Sequence, residues 1–438
     1  MLIFRITILL TVICCGAAQA AATQSIEAKL KEAAAAIQRG DLQTAERILR
    51  AALKSDSQAV PAYNLLGFVL FNTGRAIEAE AALKQALDLD PSYLAARTNL
   101  GHLYFSTGRA GDAAAEFERV IAADANNAAA HTALAAAYGA QGLWEKALTL
   151  LEESVKRGRK DFDVQYLRGF ALYKLGRARE AERPLRAAVE LRPASVQAHF
   201  ALGLVFAATG SDDDALAEFG RAASLQPSYA ESHFEMGQLY AKYKRFEPAV
   251  GAFTRATIAA PKNATYQAAL GDAYYYGGQY ERAQEAYLRA HSLDPAAPEI
   301  NYRLGAFYLK TAQLAEAERY LKREVELHKN HAQSYASLGE MYLLEGRDGE
   351  ADAALARALA VAPNHANALF QMGRLRSRQQ KYDEAAVAFK RVVELDPTNA
   401  QAHYQLFLIY RRAGNREMAE RELEIFQKME RDTKTPAQ

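Results

Sequence analysis

The 438-residue sequence contains few residues of the kinds that carry covalent or metal chemistry. It has two cysteines, Cys14 and Cys15, and one tryptophan. The GxxxxGK[ST], HExxH, GxSxG and GxGxxG patterns are missing, and with them the usual devices for binding phosphate, holding zinc or activating a nucleophile. No insertion interrupts the repeat described below, so no segment is available to carry an active site. These absences predict a protein that is not an enzyme and has no cofactor and no bound metal.

An excess of charge of either sign is missing as well. Lys and Arg number 53 against 52 Asp and Glu, so no overall field draws the chain to nucleic acid or anionic lipid. Charged residues make up 24% and hydrophobic residues 50% of the chain, as in an ordinary folded soluble protein. The balance argues against a general nucleic-acid binder.

The first twenty residues differ in character from the rest. Arg5 precedes a short apolar run, Ile6–Cys15, and Ala18-Gln19-Ala20 has the small-x-small pattern of a signal-peptidase site. A helix that spans a bilayer needs about 20 apolar residues, and this run is shorter. We therefore predict a cleaved signal peptide at residues 1–20, a periplasmic or secreted mature protein and no membrane span.

Two alternatives for this segment are a buried N-terminal helix and a lipoprotein anchor. The helical repeat of this chain begins after this segment, at Ile26, and offers no position in which such a helix would pack. A lipid anchor would acylate Cys15, but the preceding residue is Cys14 rather than Gly, Ala or Ser. Cleavage after Ala20 leaves a mature chain without cysteine, so disulfides cannot contribute to its stability.

A 34-residue period runs through the chain from Ile26. Twelve units follow one another without insertion or deletion, from 26–59 to 400–433, and the twentieth place of each is alanine. A repeat of this regularity predicts one tandem array over 26–433. A short lead at 21–25 precedes the array, and a tail at 434–438 follows it. The alanines are Ala45, Ala79, Ala113, Ala147, Ala181, Ala215, Ala249, Ala283, Ala317, Ala351, Ala385 and Ala419.

Each unit has the pattern of two helices joined by a tight turn. Apolar residues spaced three and four apart place one apolar stripe on each helix. A glycine follows the first helix, an acidic residue opens the second, and a proline commonly ends it. The eighth place is Gly or Ala in eleven units, although Gly costs about 1 kcal/mol relative to Ala inside a helix. Its recurrence predicts a close backbone approach to the alanine of the partner helix.

The unit Tyr63-x-x-Leu66-Gly67, followed by Ala79, Leu83, Ala86 and Pro91, resembles the tetratricopeptide repeat, and its neighbours resemble it too. The resemblance covers 26–433. It implies an all-α fold, a right-handed superhelical solenoid of helical hairpins, in which the first helix of each pair lines a concave groove.

Departures from the family pattern occur within one interior unit and at the ends. Glu324 and Lys329 stand where a small residue and proline are expected. The first unit is weak, and the twelfth has Phe407 and Phe426 in place of small residues. Terminal units of solenoids are atypical because one face has no neighbour, although Phe426 also suggests a dimer contact.

The groove that the resemblance implies has aromatic and basic candidates. The fifth place is aromatic in six units, and the thirteenth is basic in alternate units. We predict that they stack on an extended peptide and pair with its carboxylates, which implies an acidic partner. The alternative is that such residues are common at these places throughout the family. The candidates are Tyr166, Phe200, Phe234, Tyr302, Phe370, Tyr404, Lys174, Lys242, Lys310 and Arg378.

Three weaker constellations have plainer interpretations. His328, His331 and His365 lie between repeats with no carboxylate or cysteine to complete a metal site, so we expect loop residues. His199 and His233 occupy the fourth place of adjacent units, where packing is expected. The acidic run 212–214 opens a helix, where capping and the helix dipole explain it better than a bound cation.

Two functional hypotheses follow. The first is a protein-interaction scaffold of the bacterial envelope that binds an extended peptide or a partner protein. The second is a component of envelope polysaccharide or polymer export, since aromatic rings stack on sugars as readily as on peptides. Neither composition nor motif identifies the partner or the oligomeric state.

Overall fold

Every element of the described chain is an α-helix. The computed structural model describes the backbone of residues 17–434 and the side chains of residues 26–431. Most of the predicted signal peptide, with both cysteines, and residues 435–438 lie outside this range. No described helix combines the length and apolarity needed to cross a bilayer.

The helices fall into two compact units, the first ending at Leu225 and the second beginning at Gln226. The helices of the first unit are α1 Ala17–Gln38, α2 Leu42–Ser55, α3 Val60–Asn72, α4 Ala76–Leu89, α5 Leu94–Ser106, α6 Ala110–Ala123, α7 Ala128–Ala140, α8 Trp144–Lys156, α9 Phe162–Lys174, α10 Ala178–Leu191, α11 Val196–Thr209 and α12 Asp212–Leu225.

The second unit has the same plan. Its helices are α13 Ala230–Lys242, α14 Phe246–Ala259, α15 Ala264–Tyr276, α16 Tyr280–Leu293, α17 Ile300–Lys310, α18 Leu314–Leu327, α19 Ala332–Glu345, α20 Asp348–Val361, α21 Ala366–Arg378, α22 Tyr382–Leu395, α23 Ala400–Arg412 and α24 Arg416–Lys434. In both units each odd-numbered helix pairs with the following even-numbered one as a hairpin, and successive hairpins stack. The predicted all-α solenoid of hairpins is confirmed.

The turn inside every hairpin contains one residue in the left-handed region. It stands at the fifteenth place, with φ between 56° and 82°. Glycine occupies this place in nine hairpins, because it adopts positive φ without a steric penalty. Lys244, Ala312 and Gln380 occupy it in the other three. The turn geometry therefore persists even where the sequence offers no glycine.

The eighth place is a tight contact, as predicted, but its main partner is not the predicted one. A Cβ added to Gly203 would lie 2.6 Å from Cε1 of Phe219, and one added to Gly305 would lie 2.5 Å from Cγ of Leu321. The residue that needs the space is the large side chain at the twenty-fourth place. The twentieth-place alanine contributes less, its carbonyl oxygen lying 3.2 Å from the added Cβ of Gly67. Filling the hairpin core with a large side chain thus requires a glycine opposite.

The departure at Glu324 has a structural role. Pro298 stands at the first place of its unit, Glu299 has φ 71°, and α17 begins late, at Ile300. The Glu324 side chain is fully buried and accepts the backbone N–H groups of Glu299 at 3.2 Å and Tyr302 at 3.3 Å. The first N–H groups of a helix have no acceptor within that helix. A carboxylate from α18 thus supplies the acceptor for two such groups at the start of α17.

Polar side chains also join neighbouring hairpins. Glu318 of α18 accepts hydrogen bonds from the Tyr342 hydroxyl at 3.0 Å and from Arg347 at 3.0 Å, and it pairs with Lys322 at 2.7 Å. The same arrangement joins Glu80 to Tyr104 and Arg109. We call these groups the tyrosine–arginine–glutamate links. They tie one hairpin to the next through groups spaced 24 and 29 residues apart.

Successive first helices contact one another directly, as α3 does with α5 and α19 with α21. Successive second helices make no comparable contact in the described chain. First helices therefore lie on the inner side of each stack where these contacts occur. We call their accessible surface, which includes the first, second, fifth, sixth, ninth, twelfth and thirteenth places of the repeat, the first-helix face.

Candidate partner-binding surface

The six fifth-place rings lie on the first-helix face, mostly half-buried. The structure shows that three of them also belong to the hairpin core. Phe200, Phe234 and Phe370 pack on the twenty-fourth-place rings of their own second helices, with centroids 5.4–5.6 Å apart. Each offers a partner only the part of its surface that this packing leaves open.

The other three fifth-place rings have different neighbours. Tyr302 lies 5.2 Å from the ring of His331, and burial raises the pKa of its hydroxyl. Tyr404 is 38% exposed and lies 5.1 Å from Phe426. Phe426, considered above as a dimer contact, therefore packs within its own hairpin. Tyr166 belongs to a row of rings on α9, described below.

The four basic candidates are exposed at the thirteenth place. Lys174 belongs to the first unit, and Lys242, Lys310 and Arg378 to the second. The Lys174 ammonium lies 5.3 Å from the centre of the Phe170 ring. Arg378 donates to the carbonyl of Leu343 at 3.0 Å and pairs with Asp348 at 3.3 Å. Arg378 is thus already engaged by the preceding hairpin, and its role in binding stays a prediction.

Acidic groups share the first-helix face of the second unit. Asp272 accepts a hydrogen bond from the Tyr287 hydroxyl at 2.8 Å and pairs with Arg303 at 2.9 Å. Burial raises the pKa of Asp272, and Arg303 opposes that rise. Burial also raises the pKa of Glu235. This face therefore presents acidic as well as basic side chains, and not only the basic candidates at the thirteenth place.

A row of four aromatic rings on α9 was only partly predicted. Phe162 and Tyr166 have centroids 5.8 Å apart and planes within 1°, and Tyr166 and Phe170 have centroids 6.0 Å apart and planes within 12°. Tyr173 follows, 6.3 Å from Phe170. We call these four residues the α9 ring row. Their spacing of four, four and three residues along one helix is visible in the sequence, but only Tyr166 stands at the fifth place of the repeat.

Charged and aromatic groups surround the α9 ring row. The Arg192 guanidinium lies 3.8 Å above the Phe162 ring at one end, and Lys174 stands at the other. The Trp144 ring meets Phe170 edge-on at 5.7 Å. Gly139 makes room for that indole, because a Cβ there would lie 2.7 Å from it. Burial raises the pKa of the Tyr166 hydroxyl.

The histidines of the weaker constellations have structural partners. The Nδ1 atoms of His331 and His365 accept from backbone N–H groups at the starts of α19 and α21. His199 lies between Glu218 at 2.5 Å and the carbonyl of Pro193 at 2.9 Å. Within the described residues no group of three His, Cys, Asp or Glu is arranged to hold a metal ion.

Family models match most of the repeat array. Models described as Tetratricopeptide repeat match residues 30–93, 70–137, 106–170, 166–230, 213–264 and 332–365, and one described as TPR repeat matches 271–311 and 373–414. No curated protein sequence matches the chain.

Three solved structures illustrate the likeness of fold. The APC/C hetero-tetramer Cut9–Hcn1 is 14% identical, with a TM-score of 0.48, over 86% of this chain and 95% of that one. Yeast Tom70 is 14% identical, with a TM-score of 0.44, over 94% and 97%. PilF of Pseudomonas aeruginosa is 20% identical, with a TM-score of 0.42, over 47% and 94%. At these identities the likeness concerns the fold alone.

Proposed function

Because the chain belongs to the tetratricopeptide repeat family, we propose that it is a non-enzymatic scaffold whose first-helix face binds an extended peptide or a partner protein. The observation that carries the proposal is the set of half-buried rings on this face, above all the α9 ring row. Large rings with few rotatable bonds supply contact area at a low cost in conformational entropy, and they anchor many protein interfaces.

The proposed setting is the bacterial envelope, reached by export through the signal peptide at residues 1–20. Cleavage after Ala20 would produce a mature chain beginning at Ala21. Intact-mass analysis of protein recovered from the envelope or medium tests this: a loss of residues 1–20 is expected. A chain that keeps Cys14, or that carries lipid on Cys15, would contradict it.

Site-specific photocrosslinking tests the binding face. A photoreactive amino acid replaces Gln197 on α11 or Gln238 on α13, both exposed on first helices. Matched controls replace Ile77 on α4 and Ile258 on α14, which are 87% and 73% exposed on second helices. We expect the first-helix positions to capture a common partner in the native host and the second-helix positions to miss it. Capture of that partner by the second-helix positions alone would overturn the proposal.

A component of polysaccharide export is the second candidate, favoured by one observation. Tyr243, Tyr276 and Tyr280, near hairpin turns of the second unit, are 56%, 65% and 44% exposed. Tyr276 also packs on Phe246, with centroids 5.9 Å apart. Supported, exposed rings of this kind can stack on sugar rings. Affinity electrophoresis in gels containing the host's exopolysaccharide distinguishes the candidates: retardation that Tyr276→Ala abolishes would favour the glycan.

A further inference from the structure

The segment from Lys156 to Arg192 concentrates positive charge in a chain whose total charge is nearly balanced. It contains eleven Lys or Arg and five Asp or Glu, whereas the whole protein has a net charge of +1. The segment includes α9 and α10, and the α9 ring row lies in its middle. Aromatic surface and a local positive field therefore coincide on the α9–α10 hairpin and the loop that precedes it, in the first unit.

Two cations bound the α9 ring row. Arg192 lies over Phe162, and Lys174 lies beside Phe170 and Tyr173, at 5.3 Å and 5.9 Å from their ring centres. Neither cation has a carboxylate within ion-pair distance among the described residues. Both side chains are exposed, so a carboxylate from another molecule can approach them. The row is thus an apolar strip with an available cation at each end.

The spacing of the two ends sets the length of ligand that fits. Phe162 and Tyr173 are eleven residues apart on a helix that rises 1.5 Å per residue, which gives about 16 Å. An extended peptide advances about 3.3 Å per residue, so five residues cover the row.

The ring spacing also favours peptide over single-stranded nucleic acid. A base inserted between two rings needs them about 7 Å apart, twice the optimal contact distance. The α9 centroids are 5.8 Å and 6.0 Å apart, so no base enters between them.

We propose that the α9 ring row binds an extended acidic peptide in which two carboxylates five residues apart flank apolar side chains. One carboxylate pairs with Arg192, the other with Lys174, and the apolar side chains lie on the rings. This specificity rests on the proposed scaffold function and narrows it to one hairpin and one chemistry of partner.

The test uses a defined probe and the purified protein. The probe is the fluorescein-labelled peptide Gly-Gly-Glu-Phe-Pro-Val-Phe-Glu-Gly-Gly. The control peptide is identical except that Gln replaces both Glu residues. Fluorescence anisotropy should show binding of the first peptide, at least about threefold tighter than the second. An oligothymidylate probe is the nucleic-acid comparison. Equal binding of both peptides, or binding of the oligonucleotide alone, would overturn the proposal.

A matched pair of double variants locates the site. Lys174→Gln with Arg192→Gln should weaken binding about 3- to 10-fold, because each exposed charge pair contributes modestly. Arg179→Gln with Arg183→Gln removes the same charge from exposed positions of the neighbouring α10 and should change affinity less than about twofold. Equal losses from both pairs would show non-specific attraction to the basic segment and refute the site.

The ring contribution has its own variants. Tyr166→Ala should weaken binding about tenfold, and most of that loss should persist in about 0.5 M salt, because apolar contact is not screened. Tyr166→Phe should bind normally, and circular dichroism should show both variants folded. The peptides could fail to bind while a photoreactive residue at position 197 or 238 still crosslinks a partner. That result would refute the acidic-peptide inference and leave the scaffold function standing.

Discussion

At the scale of single residues, the eighth-place glycines decide whether a hairpin can close over its core side chain. Gly203→Ala places a methyl group 2.6 Å from the Phe219 ring, which is fully buried and cannot retreat into solvent. Overpacking of this kind costs about 1–3 kcal/mol. We expect a lower urea midpoint with an unchanged m-value.

The control for this change lies in the same hairpin. A Cβ added to Gly220 in α12 meets nothing within 4 Å. Gly220→Ala should therefore stabilise the protein by about 0.5–1 kcal/mol, because glycine carries an entropic cost inside a helix. The two Gly→Ala changes should have opposite signs. The same sign would mean that the space opposite Phe219 is not required.

The hydrogen bonds of Glu318 predict that its contribution to the free energy of unfolding is lost in acid. Its hydrogen bonds with Arg347, Lys322 and Tyr342 lower the pKa of its carboxyl from 4.5 to about 2. A carboxyl with a depressed folded-state pKa stabilises the protein above its unfolded pKa and loses that contribution as pH falls toward the folded value. Glu318→Gln should thus destabilise at pH 7 by about 1 kcal/mol.

The measurement is the difference in urea midpoint between wild type and Glu318→Gln across pH. It should be constant above about pH 5, shrink below pH 4.5 and nearly vanish by about pH 2. A difference that does not change with pH would mean that the tyrosine–arginine–glutamate link acts through packing rather than charge.

At the scale of the element, the left-handed residue in each hairpin turn predicts backbone strain wherever that residue is not glycine. Ala312 has φ 60° and is exposed, a conformation that costs an L-residue about 1–2 kcal/mol. Ala312→Gly removes that cost but gives the unfolded chain more freedom, so we expect a net gain of about 0.5–1 kcal/mol. Thermal melts followed by circular dichroism measure it.

The reciprocal change in the preceding hairpin is the control. Gly278 occupies the same place with φ 76°, and a Cβ there meets nothing within 4 Å. Gly278→Ala should therefore lower the melting temperature through backbone strain alone. If Ala312→Gly destabilises instead, the turn of α17 and α18 does not require the left-handed conformation.

The elements also show where prediction of the site from sequence was limited. The repeat positions identify Tyr166 and Lys174 but not Arg192, which joins the row through a ring contact with Phe162 thirty residues earlier. They place Phe200, Phe234 and Phe370 on the binding face without showing that each also packs on its own second helix. Repeat position identifies a helix face, whereas ring orientation depends on which neighbour fills the adjacent space.

At the scale of the whole molecule, stacked hairpins make the array tolerant of whole-repeat deletion. Deleting residues 60–93 removes α3 and α4 and joins Ala59 to Leu94, which preserves the order of first and second helices. Because each repeat contacts mainly its neighbours, the shortened chain should fold and melt cooperatively. Deleting only residues 60–76 should disrupt helix pairing and cause aggregation. Similar melts from both deletions would contradict the 34-residue register.

The sequence by itself determined the helical class, the 34-residue period and the placement of turns. Those features depend on short-range signals, such as apolar spacing, a glycine after the first helix and a proline after the second. Only the tertiary structure decided how Glu324 caps α17, how Arg378 is held by Leu343 and Asp348, and how Arg192 completes the α9 ring row. These contacts join residues about 22–35 positions apart, so they depend on how neighbouring helices stack and which way each side chain turns.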